Sequence, residues 1–315
     1  MQAKISAIKK EVQKIIVGQE HLIDSLLIGL IADGHILVEG VPGLAKTTAI
    51  NALSKALGLD SKRIQFTPDL LPSDITGTEI YNPKEAKFTV KKGPVFTNLL
   101  LADEINRAPA KVQSALLEVM QEKQVTIADD TFKVDRPFLV LATENPVEQE
   151  GAYRLPEAQL DRFMLKVLVG YNTLDEEFEI VNRVAKKGFE SVQQAADIND
   201  LDAIKAKYKE VHVDDAVQKY MLKLIFATRE PEQYGLGELK EFIEFGASPR
   251  GSIDLYKASR AHALLQGKDF VTPLNVAEVV FDVLRHRIIL SYKAEAKGIN
   301  SDHIIQKVLE AVQAP

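Results

Sequence analysis

The run Gly40-Val41-Pro42-Gly43-Leu44-Ala45-Lys46-Thr47 has the residue types of an anion cradle. It follows a short apolar run, His35 to Glu39, and opens an amphipathic segment, Lys46 to Leu57. There Ala49, Leu53, Ala56 and Leu57 share one face before Gly58 stops it. In a loop between strand and helix, exposed backbone N–H groups and the helix dipole converge on a phosphate. Gly40 and Gly43 let the backbone come close, and Val41, Pro42 and Leu44 complete the loop. Lys46 has the reach for β- and γ-phosphates, and Thr47, with Thr48 beside it, offers a hydroxyl to magnesium. Ala45 stands where the standard pattern has glycine. Either the backbone there suits alanine, or the loop carries roughly 1 kcal/mol of strain.

Some fifty residues on, Leu99-Leu100-Leu101-Ala102-Asp103-Glu104 is an apolar strand ending in two carboxylates, at the strand end where ligands bind in open α/β sheets. Asp103 can hold the magnesium and Glu104 can polarise an attacking water, the division of labour that hydrolysis requires. A second buried strand, Phe138 to Thr143, ends in Glu144-Asn145-Pro146. Asn145 can orient water against a γ-phosphate, or simply turn the chain before proline. In Leu155-Pro156-Glu157-Ala158-Gln159-Leu160-Asp161-Arg162-Phe163, Arg162 is an ordinary helix-end cation unless a neighbouring subunit's phosphate faces it. Ser248 as cap and Pro249 at the first position begin another helix and put Arg250 in its first turn. The dipole disfavours a cation there, which points to an anion nearby.

These groups need a scaffold. Strand candidates His35 to Glu39, Arg63 to Phe66, Asn98 to Asp103, Phe138 to Thr143 and Phe163 to Val169 alternate with segments long enough for crossovers, which predicts a mainly parallel sheet in an α/β fold. Apolar residues from Ile5 to Leu30 recur at helical spacing, broken at Val17-Gly18-Gln19-Glu20. Lys87 to Phe96, centred on Lys91-Lys92-Gly93-Pro94, reads as a hairpin or ordered loop, and Gln124 to Phe138 as a second hairpin. After Asn172 strand runs vanish, and amphipathic helices dominate, as in Val276, Val279, Val280, Val283 and Arg287 behind Thr272-Pro273. The expected division is a nucleotide-binding unit over 1–190 and a helical lid over 191–315.

Composition narrows the classes. The 315 residues contain no cysteine, which excludes disulfides, thiolate zinc sites and cysteine nucleophiles. The amino-terminal stretch spaces its apolar residues among lysines, and no apolar run reaches the length of a span, so a cytoplasmic protein without membrane insertion is expected. The net charge of -6 gives no global attraction to nucleic acid. The six histidines show no ligand spacing, leaving ATP and its magnesium as the expected cofactors.

In this order the motifs resemble the AAA+ superfamily, and in detail its MoxR family, over nearly the whole chain. Family-like stretches include Ile16-Val17-Gly18-Gln19, the run from Gln65 to Gly77, Gly93-Pro94-Val95-Phe96, Asp103-Glu104-Ile105-Asn106-Arg107-Ala108 and Ala142-Thr143-Glu144-Asn145-Pro146. The resemblance implies an αβα P-loop NTPase domain with strand order 5-1-4-3-2 and a smaller all-helical lid. It also implies Asn145 as sensor 1, Arg162 as arginine finger and Arg250 as sensor 2. It further implies a homo-oligomeric ring, usually of six, that remodels or activates protein clients, among them ones with von Willebrand factor A domains. Alanine at position 45 is common in the family. Three alternatives stand beside this: a motor subunit of a metal-chelatase-like complex, a nucleic-acid translocase using Lys84, Lys87, Lys91 and Lys92, and a scaffold that binds ATP without turnover.

Overall fold

The computed structural model of the protein describes residues 1–41, 44–145, 153–188 and 190–315. Helices α1 (Gln2–Gln13) and α2 (Glu20–Ala32) lead to β1 (Ile36–Glu39), α3 (Lys46–Leu57), β2 (Ser61–Gln65), α4 (Pro72–Thr76) and the hairpin β3 (Gly77–Asn82) and β4 (Lys87–Lys92). Next come β5 (Leu99–Asp103), α5 (Ala110–Glu122), the hairpin β6 (Gln124–Ile127) and β7 (Asp130–Lys133), β8 (Leu139–Glu144), α6 (Glu157–Leu160) and β9 (Leu165–Leu168). The remainder is mostly helical: α7 (Leu174–Val181), α8 (Ile198–Glu210), α9 (Asp215–Arg229), β10 (Ile243–Phe245), α10 (Pro249–Leu265), α11 (Pro273–Leu284), β11 (Ile289–Leu290), α12 (Tyr292–Ala296) and α13 (Ser301–Ala311). Among the described residues no helix is long and apolar enough to cross a membrane.

Five parallel strands form one sheet in the order β2-β5-β8-β1-β9, which is 5-1-4-3-2 when the five are numbered along the chain. The middle strands are apolar up to their carboxyl ends because both faces are covered, and they turn polar only at Glu39, Asp103 and Thr143-Glu144. Leu99 and Leu101 of β5 enter a core shared with α1 to α3 and the later helices, while Leu100 and Ala102 enter a second core against α5. That period of two lets one strand serve both layers. Strand β2 lies at the edge, buries only Ile64, and so carries polar residues at the other positions.

Two expectations need correction. The first hairpin turns at residues 83–86, not at Lys91-Lys92-Gly93-Pro94, which closes its second strand. Gly93 is required there by close approach, since a Cβ would lie 2.2 Å from the Ile75 carbonyl oxygen. The later region is not wholly helical either, because β10 and β11 pair as a short antiparallel ribbon. Three and two residues are too few for a period-two pattern to register in the sequence.

His35 shows how the sheet is tied to α5. Its Nδ1 accepts from the Val140 N–H at 3.1 Å, so Nε2 carries the proton and donates to the Met120 carbonyl at 3.1 Å. The ring is neutral, and burial pushes its pKa down to about 4. Because the unfolded chain binds a proton near pH 6.5 and the folded ring does not, stability contributed here is full above pH 6.5 and is lost as pH falls towards 4. The loss amounts to about 3 kcal/mol. An NMR titration of the His35 ring is expected to show a midpoint near 4, and a midpoint near 6.5 would contradict this account.

Candidate active site

A cleft of about 670 Å³ opens at the carboxyl ends of β1, β5 and β8. Leu44, Ala45, Lys46, Thr47 and Thr48 form one wall, and Asp103, Glu104, Thr143, Glu144 and Asn145 form another. Its size is that of a small-molecule site. Ala45 caps α3 without a side-chain hydrogen bond, so its side chain takes none of the first amides of the helix. Its φ of 56° lies in the left-handed region, so the loop does carry the strain that glycine would relieve. Gly40 is buried, and a Cβ on it would stand 2.6 Å from the Val169 carbonyl oxygen, so the chain just past β1 requires glycine. Val41 follows it, half-buried, while Pro42 and Gly43 lie outside the described residues, as does Pro146 after Asn145.

The Lys46 ammonium donates to the Gly40 carbonyl at 2.6 Å. Burial pushes its pKa down, while Asp103, Glu104 and Glu39 pull it back up. Asp103 is gripped on both oxygens. Arg63 donates to Oδ2 from Nε at 3.1 Å and Nη2 at 2.6 Å, and the Thr143 hydroxyl donates to Oδ1 at 2.7 Å. Thr143 in turn accepts the Glu104 N–H at 2.9 Å. Glu104 itself sits at a φ of 56°, a strained setting for a side chain and one that clusters at functional sites. Its Oε2 accepts from Gln65 Nε2 at 2.8 Å and pairs with Arg107 Nε at 3.2 Å.

The far wall carries an apolar patch of Ile15, Val17, Ile180 and Val181, suited to a flat base, with Asn172, Glu177 and Arg183 beside it. It is built from two segments distant in sequence. Gln19 joins them by donating to Asn172 Oδ1 at 2.7 Å and to the Gly170 carbonyl at 3.0 Å, and Asn172 returns a bond to the Val17 carbonyl at 3.3 Å.

Arg162 and Arg250 are not among the residues lining this cleft. Arg162 follows α6, and its Nε is buried without a hydrogen-bond partner among the described residues. Arg250 stands in the first turn of α10, whose cap Ser248 accepts from the Arg250 N–H at 3.1 Å. The anion that its position called for is Asp161, 3.7 Å from Nη1.

Residues 35–165 match the family model described as ATPase family associated with various cellular activities (AAA), and residues 239–308 match an AAA lid domain. The chaperone MoxR1 of Mycobacterium tuberculosis is 49% identical over 97% of this chain and 81% of its own length. The chain belongs to the MoxR family of AAA ATPases. The uncharacterised YeaC protein of Bacillus subtilis is 40% identical over 97% of the chain and 93% of its own. A crystal structure of a proposed ATPase from Cytophaga hutchinsonii superposes with a TM-score of 0.94 at 52% identity, covering 100% of this chain and 96% of that one.

In this MoxR-family ATPase the cleft gathers Leu44 to Thr48 of the phosphate loop, both acids and Asn145, and leaves the two arginines elsewhere. Sequence reasoning missed Arg63, Gln65, Arg107 and Thr143, which hold the acids in place. Their signal was available in part: Arg63 and Gln65 are two apart on β2, so they share a face, and Gln65 is in register with Asp103.

Proposed function

We propose that this ATPase binds ATP with magnesium and hydrolyses it at a site shared between neighbouring copies in a homo-oligomeric, hexameric ring. The cycle would be coupled to remodelling or activating partner proteins in the cytoplasm. The observation that carries this reading is the gathering of Lys46, Thr47, Asp103, Glu104 and Asn145 on one cleft while Arg162 stays outside it. On this reading Lys46 and the amides from Gly40 to Thr48, with Gly43 between, bind the phosphates. Glu104 takes the proton of the attacking water, and Asn145 orients that water. Arg162 would meet the γ-phosphate held by the next subunit, and residues 1–190 and 191–315 would act as core and lid.

Thr47 and Asp103 are hard oxygen donors on facing walls, which fits magnesium carried in by the nucleotide. When bound, the ion would neutralise charge on the phosphate oxygens. Among the described residues no group of three His, Asp or Glu could hold a metal without it.

Protein clients fit the surface better than nucleic acid. Tyr81 and Phe88 pair across the first hairpin with ring centroids 5.3 Å apart, and both are exposed. Of the four nearby lysines, Lys87 pairs with Glu85 at 2.7 Å, and Lys92 lies over the Phe96 and Phe132 rings. They therefore form no continuous track for a phosphate backbone. Clients with von Willebrand factor A domains suit the family reading.

A shared site has a simple test. The steady-state ATPase rate per subunit is expected to climb with protein concentration and level off once rings are complete. A flat rate would mean that each subunit works alone.

A further inference from the structure

Three consecutive residues just past the end of α11 grip the segment that carries Arg162. Arg285 donates to the Lys166 carbonyl at 2.6 Å, and His286 Nε2 to the Phe163 carbonyl at 2.9 Å. Arg287, whose side chain is 0% exposed, donates to the carbonyls of Asp161 at 3.2 Å, Phe163 at 2.8 Å and Met164 at 3.2 Å. Its charge is met by Asp161 Oδ1 at 2.8 Å and Asp254 Oδ2 at 2.6 Å. A guanidinium with no access to water, holding the backbone on both sides of Arg162, fixes where that residue begins.

The same Asp161 carboxylate reaches the other arginine. Both its oxygens accept from the Ser248 hydroxyl, at 3.0 and 2.9 Å, and Ser248 Oγ is the cap for the Arg250 N–H. Arg250 Nη1 is 3.7 Å from Oδ2. Asp161 is thus joined covalently to Arg162, through Ser248 to the start of α10, and through Arg287 to the end of α11. Removing its charge would leave Arg287 with one carboxylate in a buried place and would weaken the tie between the α10 cap and the core.

We infer that Asp161 and Arg287 are positioning residues that make Arg162 and the start of α10, with Arg250, move as one unit, so that a displacement of α10 is felt at Arg162. This rests on the shared-site reading above and adds the linkage to it. Neither residue touches the cleft that takes ATP, so their effect is on turnover, not on nucleotide binding.

Asp161→Asn keeps the shape and one carbonyl acceptor. It is expected to fold and to bind a non-hydrolysable ATP analogue within about threefold of the parent, as charge loss outside the cleft predicts. Its kcat should fall at least about tenfold, the mark of an interaction made beyond the ground state. Ser248→Ala, which cuts the link from Asp161 to α10 together with the cap bond to the Arg250 N–H, should lower kcat in the same direction, and the double variant should lose less than the product of the two. A folded Asp161→Asn with parental kcat overturns the inference, and so do fully multiplicative losses. If Asp161→Asn does not fold, Ser248→Ala alone decides, with parental kcat counting against the linkage. Arg162→Ala run alongside separates the two ideas: if it loses turnover while Asp161→Asn keeps it, the shared site stands and the linkage fails. If Arg162→Ala is harmless, the shared-site reading itself has failed.

Discussion

Glu104→Gln is expected to bind ATP with near-parental affinity and to hydrolyse it roughly 10²–10⁴-fold more slowly, the usual worth of a positioned general base. The substitution is nearly isosteric. Gln65 and Arg107 can still donate to the amide oxygen, so the side chain should keep its place and only its basicity is lost. The strained φ of 56° at position 104 is unchanged by it. Single-turnover hydrolysis beside equilibrium binding of the nucleotide separates the two effects. A rate within tenfold of the parent would remove Glu104 from the role proposed for it, and a collapse of binding would show that the charge acts on the nucleotide itself.

Arg162→Ala should be as damaging for a different reason. The residue does not line its own subunit's cleft, yet an arginine supplied from a neighbour can be worth 10³–10⁵ in rate. The loss should appear in kcat, with the monomer's fold and its affinity for nucleotide retained, because the Nε lost has no partner to leave stranded among the described residues. Unchanged turnover at concentrations where rings are complete would contradict the proposal.

Which residues would meet at the cleft was legible because they lie on elements with strong patterns. The run Leu99-Leu100-Leu101-Ala102 is buried on both faces, so it reads as a central strand and brings Asp103 to the sheet's ligand-binding edge. Ser248-Pro249 likewise announces a helix start, and Arg250 in its first turn has Asp161 3.7 Å away. What stayed hidden depends on contacts between distant segments. Arg287 could be seen to fall on the apolar face of α11's pattern, but Asp161 is 126 residues away and nothing local names it. The first hairpin was misplaced because its turn, Pro83-Lys84-Glu85-Ala86, puts alanine at a φ of 49° where glycine would have given the signal. Gly93 drew attention instead, and its glycine answers a backbone contact. At Ala45 the sequence posed the question of strain, and only the backbone angle answered it.

A working site that takes Glu104 from one subunit and Arg162 from the next can be rebuilt by mixing two dead variants. Glu104→Gln and Arg162→Ala subunits, each inactive alone, are combined in equal amounts under conditions that let rings reassemble. Random mixing should restore about one quarter of the parent ATPase rate, the share of interfaces that pair an intact Glu104 with an intact Arg162. No recovery from rings shown to be mixed would contradict the claim, because it would mean that both residues must come from the same subunit.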